Sequence, residues 1–325
     1  MNGISVIICC FNSAPRLPKT LKYLARQKIQ SHINWEVVLV NNNSTDNTES
    51  VAKEQWEAND KPTELIIIQE KTPGLSNARI KGMNEAKYEL LIFCDDDMWL
   101  DSHYIEHAYD VMNSDSQIGV LGGRSQAVFE GEEPFWFSTY QGGYAIGVQA
   151  LDSGDVTKRG YVWGAGMVLR KSVFINLITN GFSFYCTDRK GKLLSSGGDS
   201  EICKWFILAG YKLWYDEKLK FRHFMPKNRL TKEHLKGLHE GFKLSTVYLS
   251  KYDETIRYLS QNRTTKILVK KRIIVEIQYL LRRIDGITRK KKLQYLYPLK
   301  KKYIVDDFFY QICKSRQNYL QSTKS

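Results

Sequence analysis

An apolar run that ends in three carboxylates constrains the fold of this chain more than any other feature. Leu90–Cys94 is uniformly apolar, which is typical of a strand buried on both faces of a parallel sheet. Asp95, Asp96 and Asp97 follow it directly, and adjacent carboxylates repel one another unless a counter-charge such as a divalent cation is present. Ligands of open α/β sheets bind beyond the carboxyl ends of the strands. The pattern therefore predicts a cation and phosphate site, with a solvated acidic turn that caps a helix as the alternative.

Strand and helix patterns alternate through the first third of the chain. Apolar, β-branched runs occur at Ile4–Cys10, Trp35–Val40 and Glu64–Gln69. Helical patterns occur at 15–27, from the polar turn after the second run to about residue 59, and at 75–86. Ser44 or Asp46 is expected to cap the second of these helices. The alternation predicts an α/β fold in which helices cover a mostly parallel central sheet.

The pattern changes after Asp115. Shorter strand-like runs occur at Val120–Phe129, Tyr144–Ala150, Tyr161–Leu169, Tyr211–Tyr215 and Leu219–Phe224, and a helix is predicted at Asp199–Ala209. Lys190–Gly198 is rich in Gly and Ser, which predicts a flexible loop that orders when substrate binds. From Thr231 onward the pattern is helical.

Composition indicates one large folded domain with an appendage, since the chain has 325 residues and is 42% hydrophobic. No run approaches the roughly 18 apolar residues of a membrane span, and the start of the chain is not expected to be a signal peptide because it lacks a basic region. The six cysteines are scattered and match neither a zinc site nor a disulfide framework, which favours a reduced cytosol.

The positive charge is concentrated in the C-terminal tail. Residues 263–325 contain 17 Lys and Arg against 4 Asp and Glu, which equals the whole net charge of +13. Ile267–Ile284 is predicted to form an amphipathic helix with a basic side, and Arg289–Lys292 and Lys300–Lys302 add two cationic clusters. This pattern is typical of docking on an anionic membrane surface. Packing on the catalytic body or on a second subunit is the alternative, and nucleic acid is not expected as a partner because no recognition motif accompanies the charge.

Five motifs occur in one order along the chain: Val6–Asn12, Val38–Thr48, Gly74–Gly82, Phe93–Leu100 and Ser196–Tyr215. Together, over about residues 3–225, they resemble the family 2 glycosyltransferases, which are inverting enzymes of the GT-A fold. The resemblance implies a catalytic domain at 1–225, with a nucleotide-sugar half at about 1–115 and an acceptor half at about 116–225. A helical, basic C-terminal region at 226–325 follows it.

The resemblance implies a nucleotide-diphosphate sugar as donor and a Mn²⁺ or Mg²⁺ ion. Asp95 and Asp97 match the DxD motif of the family, in which the first carboxylate faces the ribose or the metal and the second binds the cation. Asp96, grouped with the donor-binding residues, is expected to turn away or to bond to backbone. His223 matches a histidine that contacts metal or diphosphate, and a purely structural histidine is the alternative.

The ends of the first two predicted strands are expected to hold the nucleobase. Phe11, Asn12 and Asn42 lie there, and Arg79 matches an arginine that meets phosphate, with a solvent-facing helix arginine as the alternative. The family usually carries an Asp where this chain has Asn41–Asn43. An amide still donates and accepts hydrogen bonds, so base recognition survives in principle, but uridine, thymidine and guanosine donors all stay open.

Asp199 is the predicted general base, since inversion requires a carboxylate that takes the proton of the attacking hydroxyl. A helix N-cap is the alternative role for Asp199, and Glu201 is the alternative base. The resemblance places Trp163, Gly164 and Glu201 on the acceptor side, although an ordinary Gly-containing strand accounts equally well for the segment that begins at Trp163.

These features predict an inverting glycosyltransferase of surface polysaccharide or glycolipid synthesis. Its acceptor would be a sugar or a lipid-linked saccharide, and it would be cytoplasmic, at the inner face of the cell membrane. A sugar-nucleotide pyrophosphorylase would need a Gly-rich, Arg-containing loop after the first strand, and a dehydrogenase would need GxGxxG there; neither is present. A degenerate scaffold that binds sugar nucleotides without turnover stays open, because Asn41 lies where the family usually carries an Asp and Gly198 precedes Asp199 where the family normally shows a Glu.

Overall fold

The computed structural model describes residues 2–186, 196–260 and 307–323. In these residues nine strands form one sheet: β1 Ile4–Cys10, β2 Trp35–Asn41, β3 Leu65–Gln69, β4 Leu90–Asp95, β5 Met98–Leu100, β6 Ile118–Phe129, β7 Gly154–Asp155, β8 Val168–Arg170 and β9 Lys212–Met225. The helices are α1 Leu17–Ala25, α2 Thr48–Ala58, α3 Leu75–Glu85, α4 Tyr104–Ser114, α5 Phe137–Tyr140, α6 Lys171–Thr179, α7 Gly198–Ala209, α8 Lys232–Ser260 and α9 Asp307–Ser322.

The first four long strands form the parallel part of the sheet. β1 pairs in parallel with both β2 and β4, and β2 pairs in parallel with β3. Beyond β4 the sheet is mixed, because β8 runs antiparallel to β4 and β6, while β9 runs parallel to β6 and antiparallel to β5 and β7. The predicted α/β class with a mostly parallel, helix-covered sheet is confirmed.

The helix α1 shows how the sequence pattern builds the core. Pro18 lies in its first turn, where a missing N–H is tolerated. Leu17, Leu21 and Leu24 recur at helical spacing, are fully buried, and pack in one cluster with the inward residues of β1 and β2. Their period places all three on one face of the helix, so burial of that face holds α1 against the sheet.

The middle of the chain contains fewer strands than the sequence predicts. Tyr144–Ala150 is not a strand: Gln141–Tyr144 is a 3₁₀ turn, and Ala145 and Gly147 have φ values of 56° and 109°, which interrupt an extended chain. In Tyr161–Leu169 only the end is extended, as the start of β8. The two strands predicted at 211–224 are one continuous strand, β9.

The cap predicted for α2 is displaced by one residue. The residue before Thr48 is Asn47, which occupies the cap position without a side-chain hydrogen bond. Asp46 nevertheless accepts hydrogen bonds from the N–H of Thr48 at 3.1 Å and from the N–H of Ala14 at 3.1 Å. Asp46 therefore joins the start of α2 to the turn after β1.

The chain divides into two compact units. The first comprises Met1–Asn176 and Phe184–Leu249, and the second comprises Leu177–Ser183 and Ser250–Ser325. Within the second unit Tyr252 and Phe308 meet edge to face, with ring centroids 5.0 Å apart. No helix among the described residues is both long and apolar enough to cross a bilayer. The predicted helix at Ile267–Ile284 and both cationic clusters lie outside the described residues, as does most of the Lys190–Gly198 loop.

We expect Gly82→Ala to lower the free energy of unfolding by about 1–3 kcal/mol, because the core at this point has no room for a methyl group. A Cβ atom at Gly82 of α3 would lie 2.5 Å from Cγ2 of Ile7 and 3.0 Å from Cγ2 of Val40. Urea denaturation measures the change. Asn84→Ala, at an exposed position of the same helix, is the control, and equal stability of the two variants would contradict the close packing.

Candidate active site

Two carboxylates and one imidazole converge at the end of β4. Asp95 is the last residue of β4, Asp97 precedes β5, and His223 lies in β9. Antiparallel pairing of β5 with β9 places Met98 opposite His223, which brings the imidazole to the aspartates. One ligand atom from each of Asp95, Asp97 and His223 lies within 4.8 Å of the others. The structure thus brings together the three residues predicted to bind a cation.

Asp97 contacts one imidazole and one guanidinium. It is 1% exposed, its Oδ1 lies 3.3 Å from Nε2 of His223, and its Oδ2 lies 2.9 Å from Nη1 of Arg229. Sequence reasoning missed Arg229, which ends the 3₁₀ turn Lys227–Arg229. A basic residue in a polar turn has no local feature that distinguishes it from a solvated one, so no sequence signal was available.

Asp96 lies outside this group and faces α1 instead. Nη2 of Arg16 is 2.5 Å from its Oδ2, and the Thr20 hydroxyl donates to its backbone carbonyl at 2.8 Å. Burial, together with the neighbouring charge of Asp97, raises the pKa of Asp96 to about 6, against the opposing effect of Arg16. The predicted contact of Asp96 with a donor stays a prediction, and the geometry favours a role in holding the turn.

A second polar group forms around Gly164. A guanidinium and a carboxylate converge there, on the segment before β8. This segment is bonded to β4, since the N–H of Gly166 donates to the Phe93 carbonyl at 3.0 Å. A Cβ atom at Gly164 would lie 2.8 Å from Nη2 of Arg79 and 3.2 Å from Oδ2 of Asp199. Only a glycine therefore leaves space for both side chains.

Arg79 is a buried arginine, not a solvent-facing one. It is 4% exposed, and its guanidinium carbon lies 4.9 Å from the centroid of the Phe93 ring. This stacking on an aromatic face orients the planar guanidinium. The solvent-facing alternative for Arg79 is wrong, and its predicted contact with phosphate stays a prediction.

Asp199 lies in the first turn of α7 and is not the cap. The cap position is Gly197, with a φ of 122°. Oδ2 of Asp199 accepts the N–H of Gly164 at 2.8 Å, and Oδ1 accepts the N–H of Ser200 at 2.7 Å. Each carboxylate oxygen has a second acceptor position, so Asp199 is fixed in orientation and is still able to accept a proton from a bound hydroxyl.

Glu201 is completely buried and committed to backbone. Its two carboxylate oxygens accept the N–H groups of Tyr185 and Cys186, each at 2.9 Å. These bonds fix the chain just before residues 187–195. The geometry favours Glu201 as a residue that positions the backbone of Tyr185 and Cys186. It weighs against Glu201 as the base that takes the proton of the acceptor hydroxyl.

The three residues predicted to flank the nucleobase differ in how far their side chains are engaged within the protein. The amide nitrogen of Asn42 donates to the carbonyls of Glu70 and Thr72, and its oxygen accepts the N–H of Gly74, so Asn42 clamps the loop before α3. Phe11, at the end of β1, is 55% exposed and is free to stack on a ring. Asn12, with φ 49°, accepts the N–H of Thr45 at 2.8 Å.

Trp163 directly precedes Gly164 and contacts Gln149 and Arg159. Its backbone N–H donates to Oε1 of Gln149 at 2.8 Å, and the Arg159 guanidinium carbon lies 5.6 Å from its ring centroid. The indole is 9% exposed. The predicted acceptor contact of Trp163 and Gly164 stays a prediction.

The group formed by Asp95, Asp97 and His223 fits a divalent cation. A carboxylate as deeply buried as Asp97 requires positive partners, and carboxylate oxygens are the ligands that Mg²⁺ and Mn²⁺ prefer. An imidazole ligand favours the transition metal over Mg²⁺. Nδ1 of His223 is buried without a hydrogen-bond partner in the described part of the chain.

Comparisons with known proteins agree with this architecture. Residues 5–178 match the family model described as glycosyl transferase family 2. The chain is 30% identical over 134 residues to glycosyltransferase GlyA of Streptococcus pneumoniae, covering 41% of this chain and 18% of that protein. It is 34% identical over 113 residues to the cholesterol galactosyltransferase of Borreliella burgdorferi, covering 35% and 30%. The chain thus spans less than a third of either curated relative.

A solved structure has a similar fold. The crystal structure of S. aureus TarS 1-349 in complex with UDP-GlcNAc superposes with a TM-score of 0.54 and 16% identity, covering 99% of this chain and 91% of that one. At this level of identity the likeness concerns the fold alone. It agrees with the GT-A fold expected from the sequence motifs.

We expect Arg229→Met to lower the free energy of unfolding by about 1–3 kcal/mol, because Asp97 loses a charged partner in a buried position. Added Mn²⁺ should raise the unfolding midpoint of this variant more than that of the unmodified protein, since the ion supplies the missing positive charge. Thermal unfolding with and without Mn²⁺ measures both effects.

Lys227→Met is the matched control for this experiment, because Lys227 is exposed in the same turn. It should leave both the stability and the Mn²⁺ response close to those of the unmodified protein. An identical Mn²⁺ response in all three proteins would show that Arg229 does not compete with a cation at Asp97.

Proposed function

The chain belongs to glycosyl transferase family 2, and from this premise we propose that it transfers a sugar from a nucleotide-diphosphate sugar to an acceptor hydroxyl with inversion. The observation that supports this most strongly is the convergence of Asp95, Asp97 and His223 at the carboxyl end of β4. Asp199 and Arg79 meet at Gly164, on a segment bonded to the same strand. Charged groups for both the leaving group and the attacking hydroxyl are therefore present.

The proposed donor site lies at the carboxyl edge of the parallel strands. Phe11 offers an exposed ring at the end of β1, on which a nucleobase would stack, and Asn12 and the clamp formed by Asn42 shape the adjoining loops. Arg79 supplies a positive charge on the side of Gly164, where it would attract a phosphate oxygen. TarS binds UDP-GlcNAc. This chain has Asn41–Asn43 where the family usually carries an Asp, so donors of uridine, thymidine and guanosine are all candidates.

Asp95, Asp97 and His223 would hold the cation, with Mn²⁺ favoured by the imidazole. The bound ion would neutralise the charge that develops on the leaving diphosphate. Arg229 already pairs with Asp97, so it keeps the buried carboxylate compensated and adds positive charge beside the site. Asp96 contributes indirectly, because its ion pair with Arg16 fixes the turn between Asp95 and Asp97.

Asp199 is the proposed general base. The acceptor oxygen forms a bond to the anomeric carbon, the bond from that carbon to the diphosphate oxygen breaks, and the hydroxyl proton passes to the Asp199 carboxylate. The N–H groups of Gly164 and Ser200 hold this carboxylate in place. Glu201 would act indirectly, because its carboxylate fixes the backbone at Tyr185 and Cys186.

The C-terminal part of the chain is proposed to form a region distinct from the catalytic domain. We propose a catalytic domain at 1–225 and a helical, basic region at 226–325, and the first compact unit also includes the start of α8. The acceptor would be a sugar or a lipid-linked saccharide of surface polysaccharide or glycolipid synthesis. The protein would act in the cytoplasm, with its basic tail on the inner face of the membrane.

We expect one nucleoside diphosphate, among those of uridine, thymidine and guanosine, to raise the unfolding midpoint in the presence of Mn²⁺. A ligand at a hundredfold excess over its dissociation constant stabilises the folded state by about 2.7 kcal/mol. Asp199→Asn should keep this shift, because the amide oxygen still accepts a backbone N–H. Its turnover of the matching sugar donor should fall about 100- to 10,000-fold.

The matched control is Asp110→Asn, which alters an exposed carboxylate of α4 and should retain full turnover. A nucleotide shift without turnover in the unmodified protein would support the scaffold alternative. Absence of any shift at millimolar nucleotide would overturn the donor site altogether.

The basic tail should bind anionic vesicles. At low salt, vesicles that contain phosphatidylglycerol should sediment with the full chain, and charge-neutral vesicles should not, because each Lys or Arg near an anionic surface contributes about 1 kcal/mol. Truncation after residue 260 should remove the binding. Equal sedimentation with both kinds of vesicle, or binding that survives the truncation, would contradict the proposal.

A further inference from the structure

Four cationic side chains line one groove at the edge of the sheet. Arg26 follows α1, Arg124 lies in β6, and Lys220 and Arg222 lie in β9, around a cavity of about 410 Å³. The pairing of β6 with β9 places Arg124 opposite Lys220 and Gln126 opposite Arg222. Paired residues share a face of a sheet, so register gathers Arg124, Lys220 and Arg222 on one surface. Arg26 joins them from the end of α1.

This groove is separate from the candidate active site. Along β9, Lys220 and Arg222 are exposed, whereas Phe221 and His223 are buried. Successive residues of a strand point to opposite faces, so the groove and the His223 imidazole lie on opposite sides of the same strand. A ligand in the groove therefore does not occupy the site of Asp95, Asp97 and His223.

The charges in the groove carry no ion-pair compensation within the described residues. None of the four cations forms a salt bridge with a carboxylate in the part of the chain that the structure describes. Asp101 is the one carboxylate among the lining residues, and Arg222 donates to the Tyr23 hydroxyl at 3.3 Å. Like charges that converge on one cavity repel one another, so an anionic ligand there would relieve the repulsion.

An aromatic stack gives the groove a firm wall. The Trp99 ring stacks with those of Tyr23 and Phe224, with centroid distances of 5.7 and 5.8 Å. Nζ of Lys19 lies 3.7 Å from the centroid of the Trp99 ring, which adds a fifth positive charge beside the groove. Packed rings restrict the motion of this wall, and the hydrogen bond from Arg222 to the Tyr23 hydroxyl joins one of the cations to it.

We propose that this groove binds a phosphate ester of a soluble ligand other than the sugar donor. Guanidinium groups match the geometry of phosphate oxygens through paired N–H donors, and the groove presents three of them together with one ammonium. A concave cavity fits a discrete phosphate group that enters it, whereas a flat bilayer surface would reach only its rim. Binding in this groove would not require the chemistry of the active site.

Isothermal titration calorimetry of the full chain with glycerol 3-phosphate tests the proposal. EDTA is present throughout, which removes divalent cations from the carboxylate group. Arg124→Gln combined with Arg222→Gln should weaken binding about tenfold or more, because charged hydrogen bonds to the phosphate are lost. Added salt should weaken binding by the unmodified protein.

The matched control is Lys158→Gln combined with Lys232→Gln, which removes the same charge from exposed positions elsewhere. It should bind within twofold of the unmodified protein. Lys220→Gln alone serves as a second test if the double groove variant does not fold, and it should also weaken binding relative to the control.

Equal affinity in the groove variants and the control, or no binding by the unmodified protein, would overturn the proposal. Sedimentation with phosphatidylglycerol vesicles separates the two sources of phosphate. A groove variant that loses vesicle binding while glycerol 3-phosphate binding is unchanged would assign the groove to lipid headgroups and overturn the soluble-ligand form. The Mn²⁺-dependent nucleotide shift should persist in the groove variants, so this proposal and the donor site fail independently.

Discussion

The burial of one carboxylate, Asp97, is the constraint around which the candidate site is built. A charge removed from water is tolerated when it is paired, and Asp97 faces His223 and Arg229. Asp97 follows the last strand of the parallel part of the sheet, whereas its two partners lie in or after β9. The contacts of Asp97 with His223 and Arg229 therefore join the parallel and mixed parts of the sheet at the place where Asp95 ends β4.

Several polar residues near this centre serve to hold loops. Asn42 clamps the loop before α3, Glu201 fixes the chain at 185–186, and Asp96 pairs with Arg16 on α1. Each lies in a motif that carries the family resemblance, yet its hydrogen-bonding groups are engaged within the protein. Buried polar groups need such partners, so part of a motif preserves the shape of the site while other members, such as Asp199, keep acceptor capacity.

One strand, β9, contributes to two chemically different surfaces. Its inward residues include His223, which meets the aspartates, and its outward residues include Lys220 and Arg222, which line the cationic groove. The two-residue period of a strand separates the two sets. Trp99, opposite Arg222 in β5, forms the aromatic wall of the groove, directly beyond the carboxylates that begin the site.

The sequence by itself determined the α/β class, the first four long strands and the carboxylates at the end of β4, because periodicity and a charged strand end are local signals. Local composition misled at Tyr144–Ala150, where apolar and aromatic residues suit a strand but the left-handed Ala145 prevents one. Only the tertiary structure decided that Asp199 and Arg79 share Gly164, and that Arg229 pairs with Asp97. These contacts join residues far apart in the chain, and their existence depends on strand register and burial, which no local pattern contains.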